Sequence, residues 1–64
     1  MNTQEIVVEL MLHGLTQTQI AEKTGFSQPT ISDVANGKVG LVRPSHEMMT
    51  KLQALHAEVL ASAA

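Results

Sequence analysis

An all-α fold of four helices is predicted by three features of the 64-residue sequence. Apolar residues recur at helical spacing, polar capping residues such as Asn2, Thr16 and Ser27 stand before three of these segments, and glycines follow them. We expect a compact four-helix domain with helices at about residues 3–13, 17–24, 28–36 and 45–61. The chain contains no repeat and no linker-like stretch, so residues 1–64 are expected to form one domain.

The first helix is predicted to begin after Asn2, with Glu5 completing a capping box, and to end at Gly14. Its apolar face is expected to enter the core and consists of Ile6, Val7, Leu10 and Met11. Val8 and Leu12 lie outside that face. Two interpretations stay open for this pair: partial burial beneath the last helix, or contact with a second subunit.

The second helix is short and is followed by a tight turn. Thr16 and Gln19 repeat the capping-box pattern, and Gly25 supplies the positive φ that the turn requires. Ile20 and Ala21 are the apolar residues inside this helix. Ala21 is expected to be small because the next helix crosses close to it.

The third helix begins after Ser27, its predicted cap, and carries Pro29 in the first turn, where a missing N–H group costs little. Gly37 ends it. The side chains predicted to turn inward are Ile31 and Val34. Those left on the outer surface are Gln28, Pro29, Ser32, Asp33 and Asn36.

The last helix follows a loop from Lys38 to Pro44, and its cap is Ser45 or the residue before Pro44. Its predicted core stripe is Met48, Leu52, Leu55 and Val59, widened on one side by Met49 and Leu60. Methionines at this spacing are interpreted as core residues rather than as ligands.

The composition limits the function classes. A chain of this size has a core that supplies only roughly 3–5 kcal/mol, so help from a partner subunit is plausible. Cysteine is absent, and neither a signal peptide nor a membrane span is found, so we expect a cytoplasmic protein. The net charge of -2 lacks the basic balance typical of nucleic-acid partners. Phe26 is the only aromatic residue, so any nucleic acid bound is expected to be duplex.

A helix, a tight glycine turn and a second helix with a small polar outer face form the geometry of a helix-turn-helix, here at about residues 17–36. The segment QTQIAEKTGFSQPTISDVANGK resembles the helix-turn-helix of the phage repressor and Cro family. The segment LVRPSHEMMTKLQAL is similar to that family's loop and following helix. The resemblance implies a lambda-repressor-like domain that binds operator DNA, usually as a homodimer, with the helix at 28–36, the recognition helix, in the major groove.

Site residues follow from the resemblance and from side-chain chemistry together. The residues expected to contact base edges are Gln28, Pro29 and Asp33, with Ser32 on the same outer surface. The residues expected to contact the DNA backbone are Gln17, Asn36, Lys38 and Arg43, joined by the hydroxyls of Ser27 and Thr30.

Three of these residues have distinct chemistry. The Gln28 amide can form hydrogen bonds with N6 and N7 of adenine at the same time, so Gln28 is the strongest candidate for recognising a base. Pro29 either contacts a thymine methyl group or only stiffens the first turn. Asp33 can accept only from cytosine N4 and otherwise meets phosphate repulsion.

Lys38 and Arg43 flank the recognition helix while most acidic residues belong to other elements, so the charge is expected to be segregated by face.

The sequence therefore predicts a sequence-specific regulator, a repressor of the Cro type, that binds a palindromic operator as a homodimer. The proposed dimer residues are Val8, Leu12 and Leu60. The main alternative is a helix-turn-helix that acts through protein contacts with a repressor, polymerase or toxin, and a weaker one is an antitoxin that binds both DNA and protein. An enzyme is the least expected class, since no catalytic constellation, metal spacing, cofactor motif or small-molecule site is evident.

Overall fold

The computed structural model describes residues 2–38 and 46–62. Within these ranges the chain forms four helices and no strand: α1 (Thr3–Leu12), α2 (Gln17–Thr24), α3 (Gln28–Ala35) and α4 (His46–Ser62). The predicted all-α class is confirmed, and each helix boundary agrees with the prediction to within one residue. The loop and the cap predicted between Val39 and Ser45 lie outside the described residues.

Capping side chains set the starts of the first two helices. Glu5 N donates to Asn2 Oδ1 at 2.8 Å, and Asn2 N donates to Glu5 Oε1 at 2.9 Å. The same reciprocal pair recurs at α2, where Gln19 N donates to Thr16 Oγ1 at 3.1 Å and Thr16 N donates to Gln19 Oε1 at 2.9 Å. Both predicted capping boxes are therefore confirmed.

All four helices contribute to one core. α1 packs against α3 and α4, and α2 packs against the same two helices, with a smaller contact between α1 and α2. The buried apolar residues are Ile6, Val7, Leu10, Ile20, Ala21, Ile31, Val34, Met48, Leu52 and Leu55. Every inward residue predicted for α2 and α3 is in this set. In the described ranges, no buried side-chain nitrogen or oxygen lacks a hydrogen-bond partner.

The apolar surface of α1 differs from the prediction at Met11, which was expected in the core and is 39% exposed. The turn at Gly14 brings Leu15 back toward the helix, with Leu15 N donating to Leu10 O at 3.2 Å. Leu15 then packs against the core, so the buried face of α1 ends at Leu10. Leu12 is 81% exposed and is therefore not buried beneath α4, which was one of the two interpretations of its position. Val8 is 40% exposed.

A polar contact joins α1 to α4 beside the core. His56 Nε2 lies 3.0 Å from Glu9 Oε1, and both side chains are partly buried. The two residues are 47 positions apart, so only the packing of the helices brings them together. Among the described helices, none is both long and apolar enough to cross a membrane.

Leu10 and Leu12 are the same residue type on the same helix, and only Leu10 is fully buried. We expect Leu10→Ala to lower the free energy of unfolding by about 2–5 kcal/mol, because it leaves a cavity in the core. Leu12→Ala is expected to change it by less than about 0.5 kcal/mol. Urea unfolding followed by circular dichroism measures both, and equal losses would contradict the assigned core.

Candidate functional site

The turn between α2 and α3 is closed by Gly25. This residue has φ +82°, and its N–H donates to Ala21 O at 2.8 Å. A Cβ atom there would meet only Lys51 Nζ at 3.8 Å, an ordinary contact. The backbone conformation, rather than lack of space, therefore favours glycine, as the sequence predicted. Thr24, just before Gly25, is buried, which was not predicted from the sequence, and its hydroxyl donates to Ile20 O at 2.7 Å.

Helix α4 reaches this turn through Lys51. Its ammonium lies 5.5 Å from the centroid of the Phe26 ring and 3.1 Å from Glu47 Oε1. Neither contact was predicted from the sequence. The i, i+4 spacing of Glu47 and Lys51 is a signal that could have predicted their ion pair, whereas the position of Phe26 beneath Lys51 depends on tertiary packing.

The start of α3 is organised by two hydroxyl groups. Ser27 Oγ accepts from Thr30 N at 3.4 Å and lies 2.8 Å from Thr30 Oγ1. Ser27 is thus the N-cap, as predicted, and Pro29 stands in the first turn of the helix. Both residues expected to contact the DNA backbone through hydroxyls are already paired with each other. Thr30 is also partly buried, which leaves Ser27 the more accessible of the two.

The side chains of Gln17 and Gln28 meet at the N-terminal ends of α2 and α3. Gln28 Nε2 donates to Gln17 Oε1 at 2.9 Å, and Gln28 is exposed. The two residues were predicted separately, one for the DNA backbone and one for base edges. Their contact limits the orientations of the Gln28 amide, which leaves its carbonyl oxygen and second N–H for another partner.

The remaining polar residues of α3 continue along the same side of the helix. Residues 28, 29, 32, 33 and 36 repeat at intervals of one and two turns, so they share one face. Asn36 Nδ2 donates to Ser32 Oγ at 3.4 Å. Gln28, Pro29 and Asn36 are exposed, whereas Ser32 and Asp33 are only partly exposed. The two ends of this face are therefore more accessible than its middle.

Lys38 follows the end of α3 and is exposed. Gly37 has φ +76°, its N–H donates to Val34 O at 3.1 Å, and Lys38 N donates to Asp33 O at 2.9 Å. These two bonds form a Schellman motif, which fixes the backbone from which the Lys38 side chain extends. Arg43, the second cation predicted at this surface, lies outside the described residues.

The described surface of α3 is polar and nearly uncharged. Asp33 is its one charged residue, and the other acidic residues belong to α1, α2 and α4: Glu5, Glu9, Glu22, Glu47 and Glu58. In residues 2–38 and 46–62, no three His, Cys, Asp or Glu side chains group closely enough to hold a metal ion. The α3 face offers hydrogen-bonding amides and hydroxyls.

The model of a family described as helix-turn-helix matches residues 9–55. The match begins within α1, ends within α4 and includes the whole of α2 and α3. No curated protein and no solved structure matches the chain significantly.

Replacing Ser27 with Ala removes the N-cap of α3 and its contact with Thr30. We expect Ser27→Ala to lower the free energy of unfolding by about 1 kcal/mol, within the range of roughly 0.5–2 kcal/mol typical of N-caps. Ser62→Ala, at an exposed position in the last turn of α4, is the matched control. A loss in thermal unfolding no larger than that of the control would show that the hydroxyl does not cap the helix.

Proposed function

Because the chain belongs to the lambda-repressor-like helix-turn-helix family of DNA-binding regulators, we propose that it is a sequence-specific transcription regulator. In this proposal it acts as a Cro-type repressor that binds a palindromic operator as a homodimer, with α3 in the major groove. Half-sites about 34 Å apart follow from the pitch of the double helix.

The observation that supports this proposal most is the exposed Gln28 amide at the start of α3, hydrogen-bonded to Gln17 at 2.9 Å. A glutamine amide presents one donor and one acceptor in the geometry that matches N7 and N6 of adenine. Gln17 stands at the N-terminus of α2, where unpaired backbone N–H groups suit a phosphate. One side chain would then read a base while its neighbour contacts the backbone.

The other residues of the α3 face supply weaker contacts. Pro29 is exposed and can meet a thymine methyl group, and Ser32 can donate or accept at a base edge. Asp33 is partly exposed and would accept from cytosine N4, so we propose that it excludes sequences that offer no donor there. Asn36 follows on the same face, where it suits a phosphate oxygen.

Lys38 and Arg43 are the two cations proposed to contact phosphates. Two such contacts per subunit give a dimer a slope of roughly -4 in a plot of log affinity against log salt concentration. This salt dependence is modest because only these two cations per subunit are proposed to contact phosphates. Specific hydrogen bonds would therefore supply a larger share of the affinity than they do in strongly basic domains.

The homodimer is proposed to form through Val8, Leu12 and Leu60. These three residues are 40%, 81% and 43% exposed. Val8 and Leu12 lie one turn apart on α1, and Leu60 lies in the last two turns of α4. Contiguous exposed apolar surface is typical of a contact site, and Val8 and Leu12 are neighbours on the surface of α1.

The same exposed residues favour a second candidate function, a helix-turn-helix that acts through protein contacts. Net negative charge and Asp33 on α3 also favour it. Against it stands the face of α3, which lacks the aromatic and arginine residues that dominate protein interfaces.

Selection of bound duplexes from a random library, at two salt concentrations, separates the two functions. Enrichment of a two-fold symmetric motif, bound far more tightly than a scrambled duplex, is expected for an operator-binding dimer. A folded protein that enriches no motif at low salt would contradict the proposal and direct the search to protein partners.

Gln28→Ala is expected to relax the preference at one base pair of each half-site by roughly 1–3 kcal/mol, because the bidentate contact to adenine is lost. Lys38→Ala is expected instead to weaken all duplexes alike and to reduce the salt slope by about one per subunit. Fluorescence anisotropy with the selected duplex and its single-base variants measures both effects. Gln53→Ala, at an exposed position of α4, is the control, and an equal loss on every duplex for Gln28→Ala would exclude base readout.

Leu60→Glu is expected to shift the protein from dimer to monomer while the helical content stays unchanged, because it places a charge in the proposed apolar contact. Ala54→Glu adds the same charge at another exposed position of α4 and should leave the dimer intact. Sedimentation equilibrium measures the change. A Leu60→Glu protein that dimerises as strongly as the control would remove Leu60 from the interface.

A further inference from the structure

We propose that Gln4 is a positioning residue for DNA binding. Its side-chain amide, on α1, donates a hydrogen bond to the carbonyl group of the last residue of α3, the recognition helix. Gln4 Nε2 donates to Ala35 O at 3.3 Å in a partly buried contact between residues 31 positions apart. The inference rests on the proposed function, since it assigns to α3 the contact with DNA. It adds a residue of α1 that would act without touching the duplex.

The contact supplies a partner at the end of α3, where a helix leaves its last four carbonyl groups without intrahelical partners. Three of the four accept from backbone N–H groups just beyond the helix: Ser32 O from Asn36 N at 3.0 Å, Asp33 O from Lys38 N at 2.9 Å and Val34 O from Gly37 N at 3.1 Å. The fourth carbonyl, that of Ala35, accepts from the Gln4 side chain. Gln4 therefore completes the set of partners that the local chain leaves incomplete.

Gly37 leaves the space in which the Gln4 amide lies. A Cβ atom at residue 37 would stand 3.0 Å from Gln4 Nε2 and 3.5 Å from Gln4 Cδ, so the amide would have to move. In residues 2–38 and 46–62, the other two glycines of positive φ show no such crowding, because a Cβ atom would meet nothing within 4 Å at Gly14 and only Lys51 Nζ at 3.8 Å at Gly25. The glycine at the end of α3 thus serves both the backbone turn and the contact with α1.

The contact can act on DNA binding because α3 has only eight residues and is held at both ends. Its start is held by the Ser27 cap and by Gln28 and Gln17. The last turn of α3 carries no basic side chain that could stabilise its terminal carbonyl groups. Lys38 extends from this end, so the position of its ammonium relative to a phosphate depends on how firmly the end is held.

The position of Gln4 is itself well defined. It stands in the first turn of α1, between the two members of the Asn2 and Glu5 capping box. Ile6 and Val7, two and three residues further along α1, are buried in the core. The hydrogen bond from Gln4 therefore links the end of α3 to a well-ordered part of α1.

The first arm of the test measures amide hydrogen exchange in the free protein. Gln4→Met keeps the length of the side chain but cannot donate, and Gln53→Met is the control at an exposed position of α4. We expect exchange at Asn36, Gly37 and Lys38 to become about fivefold faster in Gln4→Met, the change expected for loss of one net hydrogen bond, and to stay unchanged in the control. Unchanged exchange at these three amides in Gln4→Met would overturn the proposal.

Gln4→Glu is the second variant, for use if Gln4→Met folds poorly. A carboxylate in the first turn of α1 suits the helix dipole, so α1 itself is expected to be retained. The ionised group cannot donate to the Ala35 carbonyl, and exchange at the end of α3 is expected to rise as it does in Gln4→Met. Gln53→Glu controls for the added charge.

The second arm measures binding of the selected duplex over a range of salt concentrations, at a temperature where every variant is fully folded. Gln4→Met is expected to bind three- to tenfold more weakly, with the salt slope reduced toward that of Lys38→Ala. The double variant with Gln4→Met and Lys38→Ala should then lose less affinity than the product of the two single fold-losses. A loss of stability alone would not change the salt slope.

The outcomes separate the two proposals. Faster exchange with unchanged affinity and salt slope would make Gln4 a cap of α3 with no role in binding, which would overturn the inference while leaving the proposed function intact. If the unchanged protein bound no duplex at all, the proposed function would fail, and with it the role of Gln4 in DNA binding. The exchange arm would still decide whether Gln4 holds the end of α3.

Discussion

The ends of two very short helices are the constraint on which the candidate DNA surface depends. α2 and α3 have eight residues each, a length at which an isolated helix is unstable in water. Each also leaves its terminal N–H and C=O groups without intrahelical partners. Thr16 and Ser27 cap the starts, Gly25 and Gly37 turn the chain at the ends, and Gln4 supplies the partner that α3 lacks. These contacts define where α3 begins and ends.

The longer helices supply the apolar area that the short ones cannot. α1 and α4 contribute six of the ten residues of the buried core; α1 packs against both α2 and α3, and α4 packs against α2. α4 also reaches the α2–α3 turn, where Lys51 lies above Phe26. With this support, α3 can carry an outer face chosen for hydrogen bonding rather than for stability. In the proposed contact with DNA, its nearly uncharged surface favours amide and hydroxyl contacts over long-range attraction.

The exposed apolar residues separate the proposed pairing surface from the proposed DNA surface. Val8, Met11, Leu12 and Leu60 are the large apolar side chains that stand exposed in the described part of the chain, and none belongs to α2 or α3. A subunit or another protein bound to these residues would contact α1 and α4, the scaffold helices that support α2 and α3. Because α1 also holds the end of α3 through Gln4, this scaffold is joined directly to the surface proposed to read DNA.

The sequence by itself determined the four helices, their boundaries and the inward residues of α2 and α3, because capping, glycine turns and helical periodicity act over a few neighbouring residues. It also placed Gln28 correctly on the exposed face. Tertiary structure alone decided the exposure of Met11, the contact of Glu9 with His56, and the pairing of Gln17 with Gln28 and of Gln4 with Ala35. These contacts join residues 11, 31 or 47 positions apart, and a local pattern carries no information about which helix faces which. That choice is made by the packing of the whole core.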